Sequence, residues 1–259
     1  ILVVGYDMDG ALERYCVAAL REMGHEVRYH DVYGQITGRC RFLYTPVLCD
    51  LEQAVLRSGF NRRLVRLVQS WRPDTVLVFK GIELTTSTLA RLRALRDKPL
   101  LINWNADNPF DFATSNTSQQ LIASIPAYDV YFIWDRDLFE PLRQAGARRV
   151  EYLPFGYDAA THRPTPLSDS ERAALRSQLC FVGNHTSERA PLLTQLAGSY
   201  EVGIWGISWR ERLPADSPLR ACLRGAWTHG QTMSKVFGAA DIVLNFVRAQ
   251  NGQAHNMRT

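Results

Sequence analysis

The feature that most constrains this chain is a repeated alternation of short apolar runs with helix-length amphipathic periods. ILVVG (residues 1–5) reads as a buried strand, 11–23 as an amphipathic helix and 26–31 as the next strand. Gly24-His25 between them suits a helix C-cap, because glycine tolerates left-handed backbone angles. A helix is expected over 60–71, a strand over 75–79 (TVLVF) and a helix over 87–95. Strands over 100–104 and 130–134, a helix over 138–146 and a strand over 150–154 complete the first half. Strands of four to six apolar residues between ten-residue helices predict a parallel sheet covered on both faces, since only a strand buried on both sides is apolar at successive positions.

Between residues 155 and 170 the period is lost, and GYDAATHRPTPLSDS, with its two prolines, reads as an interdomain segment. The alternation then restarts: a short helix over 171–177, a strand over 179–182, a helix over 187–197, a strand over 202–205 and a helical stretch near 219–223. A helix over 231–240 runs into a strand over 241–247, and a further helix start is expected at 256–259. The expected class is α/β, with two Rossmann-like β/α/β domains facing a cleft. The first spans 1–155, a linker with a short helix spans 156–178, and the second spans 179–259. A domain rarely stops on the first turn of a helix, so the second is expected to be incomplete. The chain opens without Met, so its start is expected to be trimmed as well.

Composition narrows the function classes. A chain of 259 residues that is 46% hydrophobic and 22% charged can bury a sizeable core and is ordinary for a soluble globular protein. The net charge of +4 is spread out, and the one dense basic run, 91–98, lies on a predicted helix as a solvated face, so no nucleic-acid partner is expected. The five cysteines (Cys16, Cys40, Cys49, Cys180, Cys222) are odd in number and lack a CxxC pair, which argues against a zinc site or a disulfide framework. No apolar run approaches the ~20 residues of a membrane span. A cytoplasmic protein is expected.

The stretch FVGNHTSER, residues 181–189, places Gly-Asn after a predicted strand and Thr186 or Ser187 as the N-cap of the next helix. Backbone N–H groups and the helix dipole at such a turn attract phosphate, Gly183 permits close approach, and Arg189 can offer a bidentate guanidinium. An ordinary strand-to-helix turn reads the same way when taken alone.

The order FVGN, then Arg189, then a strand ending in Trp, then G-x-x-x-x-x-x-x-M-x-x-x-F-x-x-AD-I-V-L-N, then N-x-R-T, resembles the CgeB-type (spore-maturation) glycosyltransferase-like family of GT-B proteins. The likeness is clearest over 179–259, with weaker support from ILVVG…LREMGHEV and from NWNADNPFDF at 103–112. It implies a nucleotide-sugar donor as substrate, no metal and no further cofactor. It places Gly183 and Asn184 beside the donor's diphosphate with Arg189 near it, and Trp227 and His229 along the nucleobase. Asn245, Asn256 and Arg258 would face the donor sugar and phosphates. His229 reads equally as an inert loop residue. A cation at a helix N-terminus, as at Arg258, is unfavourable unless an anion sits nearby. The family continues after the R-T pair with a ribose-holding Glu, which this sequence does not reach.

Asp107, within NADNPFDF, is the candidate to orient an acceptor hydroxyl or act as its base, and it reads also as an Asx-turn residue before Asn-Pro. The acceptor, whether saccharide, protein or small molecule, is left open, as is the oligomeric state. GYDMDGAL (residues 5–12) offers a competing reading as a haloacid-dehalogenase-like, Mg²⁺-dependent phosphatase with Asp7 as nucleophile and Asp9 as general acid. Against it, Ala11 begins a helix at once, and neither Lys80 nor Asp135 and Asp137 has the expected context. A GT-B-like scaffold that binds without transfer is the third reading.

Overall fold

The computed structural model describes residues 1–39, 46–113 and 116–246. They form two compact units, one spanning Ile1–Phe155 and the other beginning at Gly156.

The first unit runs β1 (Leu2–Gly5), α1 (Leu12–Glu22), β2 (Arg28–Asp31), α2 (Val32–Gln35), α3 (Pro46–Trp71) and β3 (Thr75–Phe79). It continues through α4 (Thr86–Arg93), β4 (Leu100–Asn105), α5 (Gln119–Ser124), β5 (Val130–Ile133), α6 (Phe139–Gln144) and β6 (Val150–Tyr152). Its strands make one sheet in the order β2-β1-β3-β4-β5-β6, every pair parallel. On one face Val4, Val76, Leu101 and Ile133 pack with Phe60, Leu64 and Val68 of α3 and Leu89 and Leu92 of α4. On the other, Val3 and Trp104 pack with Val17 of α1. Each such aliphatic side chain taken fully out of water contributes about 1.5–3 kcal/mol.

Helix α1 ends as its sequence dictates. Gly24, at φ +88°, lets its own N–H donate to Arg21 O (2.9 Å) and that of His25 to Leu20 O (3.1 Å), satisfying carbonyls the last turn would leave bare. Helix α3 departs from expectation by starting at Pro46 instead of residue 60. Leu48, Leu51 and Val55 in its first half are exposed, so no buried face betrays that half in the sequence, while Pro at the first helical position suits the start.

The second unit contains α7 (Asp169–Leu175), β7 (Ser177–Val182), α8 (Arg189–Ala197), β8 (Val202–Trp205), α9 (Trp209–Arg212), β9 (Leu223–Gly225), α10 (Gly230–Ala239) and β10 (Ala240–Leu244). Its sheet is ordered β10-β7-β8-β9, again all parallel. The helical stretch expected at 219–223 is instead a 3-10 turn, Pro218–Cys222, leading into β9, a three-residue edge strand too short to show a period. Strand β10 ends at Leu244, before the expected residue 247. Among the described residues no helix is long and apolar enough to cross a membrane.

Both sheets reverse their winding once. In the first the reversal lies between β1 and β3, in the second between β7 and β10. Ligands of open α/β sheets bind outside the carboxyl ends of the strands at such a reversal, because the flanking loops part to opposite sides there.

Candidate functional site

In the second unit the reversal brings two predicted stretches together. The pairing of Leu244 with Phe181 puts Asn245, the exposed residue after β10, level with the end of β7, where Gly183 and Asn184 begin the loop to α8. That loop is held from several sides. The Gly183 N–H donates to Trp205 O (2.8 Å), and its carbonyl accepts from the Trp209 indole N–H (2.7 Å). Asn184 Oδ1 accepts the Ile207 N–H at 3.4 Å. Arg189 is only 3% exposed: its guanidinium donates to the Asn184 carbonyl (2.8 Å) and lies 5.3 Å over the Phe181 ring. It braces the loop from beneath.

Neither Thr186 nor Ser187 caps α8. The helix starts two residues later than expected, and Thr186 contributes its carbonyl, which accepts from the N–H groups of Arg189 and Ala190. Thr186 Oγ1 and His185 Nδ1 are shielded from solvent and have no hydrogen-bond partner among the described residues. Burial lowers the His185 pKa, with Arg212 adding to the effect, so the ring is neutral at pH 7.

The loop after β9 leaves the same carboxyl edge of this sheet. Trp227 is 47% exposed, and its ring lies 5.1 Å from that of His229 at 41°. His229 occupies the N-cap position of α10 without a side-chain capping bond, and its Nδ1, like Oγ1 of buried Thr228, lacks a partner among the described residues. A buried polar atom left unpaired costs about 1–3 kcal/mol, which a polar ligand could recover. Asn256 and Arg258 lie outside the described residues.

In the first unit the relevant groups follow β1, β3 and β4. Asp107 donates its N–H to Asn105 Oδ1 (3.0 Å), so the Asx turn here is built by the Asn105 side chain and not by that of Asp107. Its carboxylate is also committed, with Oδ2 2.5 Å from Lys80 Nζ. Lys80, directly after β3, has φ +57°, in the left-handed region. Glu13, in the first turn of α1, is buried and accepts the Tyr6 N–H (3.3 Å). Burial raises the Glu13 pKa, against the opposing pull of backbone hydrogen bonds and of Lys80. The competing turn is arranged otherwise: Asp7 and Asp9 are both ion-paired with Arg14, and α1 starts at Leu12. Among the described residues no group of three His, Cys, Asp or Glu side chains is placed to hold a metal ion.

Solved structures resemble nearly the whole chain. α,α-Trehalose 6-phosphate synthase from Burkholderia multivorans matches 92% of it over 75% of its own length, at 12% identity and a TM-score of 0.53. A trehalose-6-phosphate synthase solved in a study of bisubstrate glycomimetics matches 93% over 76% of its length, at 12% identity and 0.57. The UDP-forming α,α-trehalose-phosphate synthase of Burkholderia xenovorans matches 96% over 74%, at 14% and 0.50. The fold is GT-B. At these identities the likeness is one of architecture. No protein-family model matches the sequence, and no curated protein does.

A GT-B chain carries its two sheets in series, and here each ends in a polar loop cluster. Sequence reasoning named Gly183, Asn184, Arg189, Trp227, His229 and Asn245 in the second cluster and Asp107 in the first. It missed Thr228, His185, Trp209 and Glu13, and it placed Lys80 in an acceptor-side loop, 80–84, without giving its side chain a role there. The one local signal was Lys80-Gly81 directly after the strand TVLVF, where a left-handed turn commonly falls on glycine.

Proposed function

We propose that this chain belongs to a glycosyltransferase that moves a sugar, as a hexosyl or related group, from a nucleotide-activated donor to an acceptor bound by the first unit. The observation that carries the reading is the second sheet's reversal between β7 and β10, flanked at its carboxyl edge by loops that hold four polar atoms without a hydrogen-bond partner among the described residues: His185 Nδ1, Thr186 Oγ1, Thr228 Oγ1 and His229 Nδ1. The motif order that resembles the CgeB-type family supports it, as does the GT-B fold, which the UDP-forming synthase shares.

In this reading Gly183, Asn184 and the start of α8 receive the donor's diphosphate, and Trp227 and His229 border the nucleobase. Asn245, with Asn256 and Arg258, meets the sugar and phosphates. Transfer requires stabilising the charge that develops on the departing diphosphate, and backbone N–H groups at a helix N-terminus with nearby arginine supply this without a metal. Arg189 contributes by holding the Asn184 carbonyl back, so that the loop is set before the donor arrives. Asp107 orients the acceptor hydroxyl. The assignment places the protein in the cytoplasm, where nucleotide sugars are available.

Titration calorimetry with UDP, GDP, ADP and dTDP tests the reading. One of them should bind, and Asn184→Asp, which keeps the acceptor for the Ile207 N–H but adds a negative charge, should weaken it at least tenfold. If none binds, or if Asn184→Asp binds like the wild type, the assignment fails.

A further inference from the structure

The turn after β3 holds a lysine in a conformation it adopts only when its surroundings impose it. Lys80 has φ +57°. Its N–H donates to Trp104 O (3.0 Å), its carbonyl accepts from the Asn103 side-chain amide (2.9 Å), and the Gly81 N–H donates to Phe79 O (2.6 Å). Asn103 itself is fully buried on β4, so the brace is anchored in the sheet. These bonds set the backbone, and the ammonium is held by partners of its own, 2.5 Å from Asp107 Oδ2 and 3.4 Å from Asn116 Oδ1. The pair is neither fully buried nor loose: 31% of the Lys80 side chain and 20% of Asp107 remain open to solvent.

We propose that Lys80 and Asp107 recognise a neutral, polyhydroxylated acceptor, a saccharide, through adjacent hydroxyls, with Lys80 also the positioning residue for the Asp107 carboxylate. This rests on the transferase reading above and names its acceptor class. A hydroxyl both donates and accepts, so two neighbouring hydroxyls can donate to Asp107 and accept from Lys80 without separating the ions. An anionic acceptor would set its charge against the Asp107 carboxylate. An apolar one would strip water from the ion pair and return no hydrogen bond. The ion pair with Asp107 serves this chemistry by holding the ammonium in place, where an unpaired lysine would have to be ordered on binding.

Saturation-transfer NMR and calorimetry on the whole chain test the proposal, with methyl glucoside, methyl mannoside, methyl galactoside and glucose 6-phosphate as probes. At least one neutral glycoside should bind, Asp107→Asn and Lys80→Met should each weaken it tenfold or more, and Lys80→Arg should recover part of the loss. Unchanged thermal unfolding and circular dichroism show that the variants fold, and Lys80→Arg guards against misfolding of Lys80→Met. No glycoside binding, binding unaffected by both substitutions, or binding of glucose 6-phosphate alone overturns the proposal. Nucleoside diphosphate binding is measured in parallel. Its absence alongside pair-dependent glycoside binding would remove the transferase reading and leave the saccharide site standing.

Discussion

The most exacting prediction concerns Gly206, the residue after β8. A methyl group at its Cα would lie 2.1 Å from the Gly183 carbonyl oxygen and 2.6 Å from its carbon, with φ at +157°. Ordinary contact begins near 3.4 Å, so Gly206→Ala must push the Gly183 peptide, or itself, by roughly an ångström, and both neighbours are backbone. Overpacking of this kind costs about 1–3 kcal/mol, and backbone at an angle that side chains avoid adds about 1–3 kcal/mol. A loss of about 2–6 kcal/mol is therefore expected in urea unfolding followed by tryptophan fluorescence. The same shift moves the loop that the Trp209 indole and Asn184 define, so nucleoside diphosphate affinity should fall at least tenfold at temperatures where the variant is still folded. Gly198→Ala is the control. Gly198 has φ −70°, a methyl there meets only Gln195 O at 3.4 Å, and about 0.4–1 kcal/mol of stabilisation is expected with affinity unchanged. If Gly206→Ala unfolded within about 0.5 kcal/mol of the wild type and bound nucleotide normally, the account of a loop locked by close backbone approach would be wrong.

Two further outcomes follow from the first unit. His30 is 4% exposed, with Nε2 against Phe60 O (3.2 Å), Nδ1 facing Gln35 Nε2, and Arg63 and Asp31 nearby; burial chiefly, with Arg63, lowers its pKa from 6.5 to about 4. Below pH 6.5 the unfolded chain binds a proton that the folded one refuses, so this contribution is intact above pH 6.5 and fades as pH falls towards 4. Going from pH 7 to pH 5 should cost about 2 kcal/mol in urea unfolding, and His30→Gln should be clearly less sensitive. An identical loss in both proteins would exclude His30 as the cause. Lys80→Gly should unfold at the wild-type temperature or above, since relief of the left-handed strain (about 1–2 kcal/mol) outweighs a part-exposed ion pair worth about 1 kcal/mol or less, while glycoside binding falls as in Lys80→Met. A marked drop in its melting temperature would show the lysine to be structural.

How much was legible beforehand depended on whether a residue's role was local. Gly24 could be read as a C-cap because helix termination is a matter of a few consecutive dihedral angles. Strands such as TVLVF announced themselves because a strand buried on both faces must be apolar at each position. The first half of α3 was hidden because Leu48, Leu51 and Val55 face outward. Strand β9 was hidden because three residues carry no period, and its place beside β8 comes from pairing alone. Arg189 shows the limit most clearly. Its type and position suited an anion, but only the packing reveals that its guanidinium is spent on the Asn184 carbonyl and the Phe181 ring.

By itself, then, the sequence determined the succession of parallel β/α units, the change near residue 155 and the chemical character of the loops after β4 and β7, because these rest on periodicity and local backbone preference. The tertiary structure alone decided the strand orders, and with them where each sheet reverses, because order is set by crossover connections between strands far apart in the chain. It also decided that Lys80 meets Asp107, twenty-seven positions further along the chain, and that Thr228 and His185 share a carboxyl edge with Gly183. Those pairings arise from which strand ends the sheet sets side by side, and no local pattern records them.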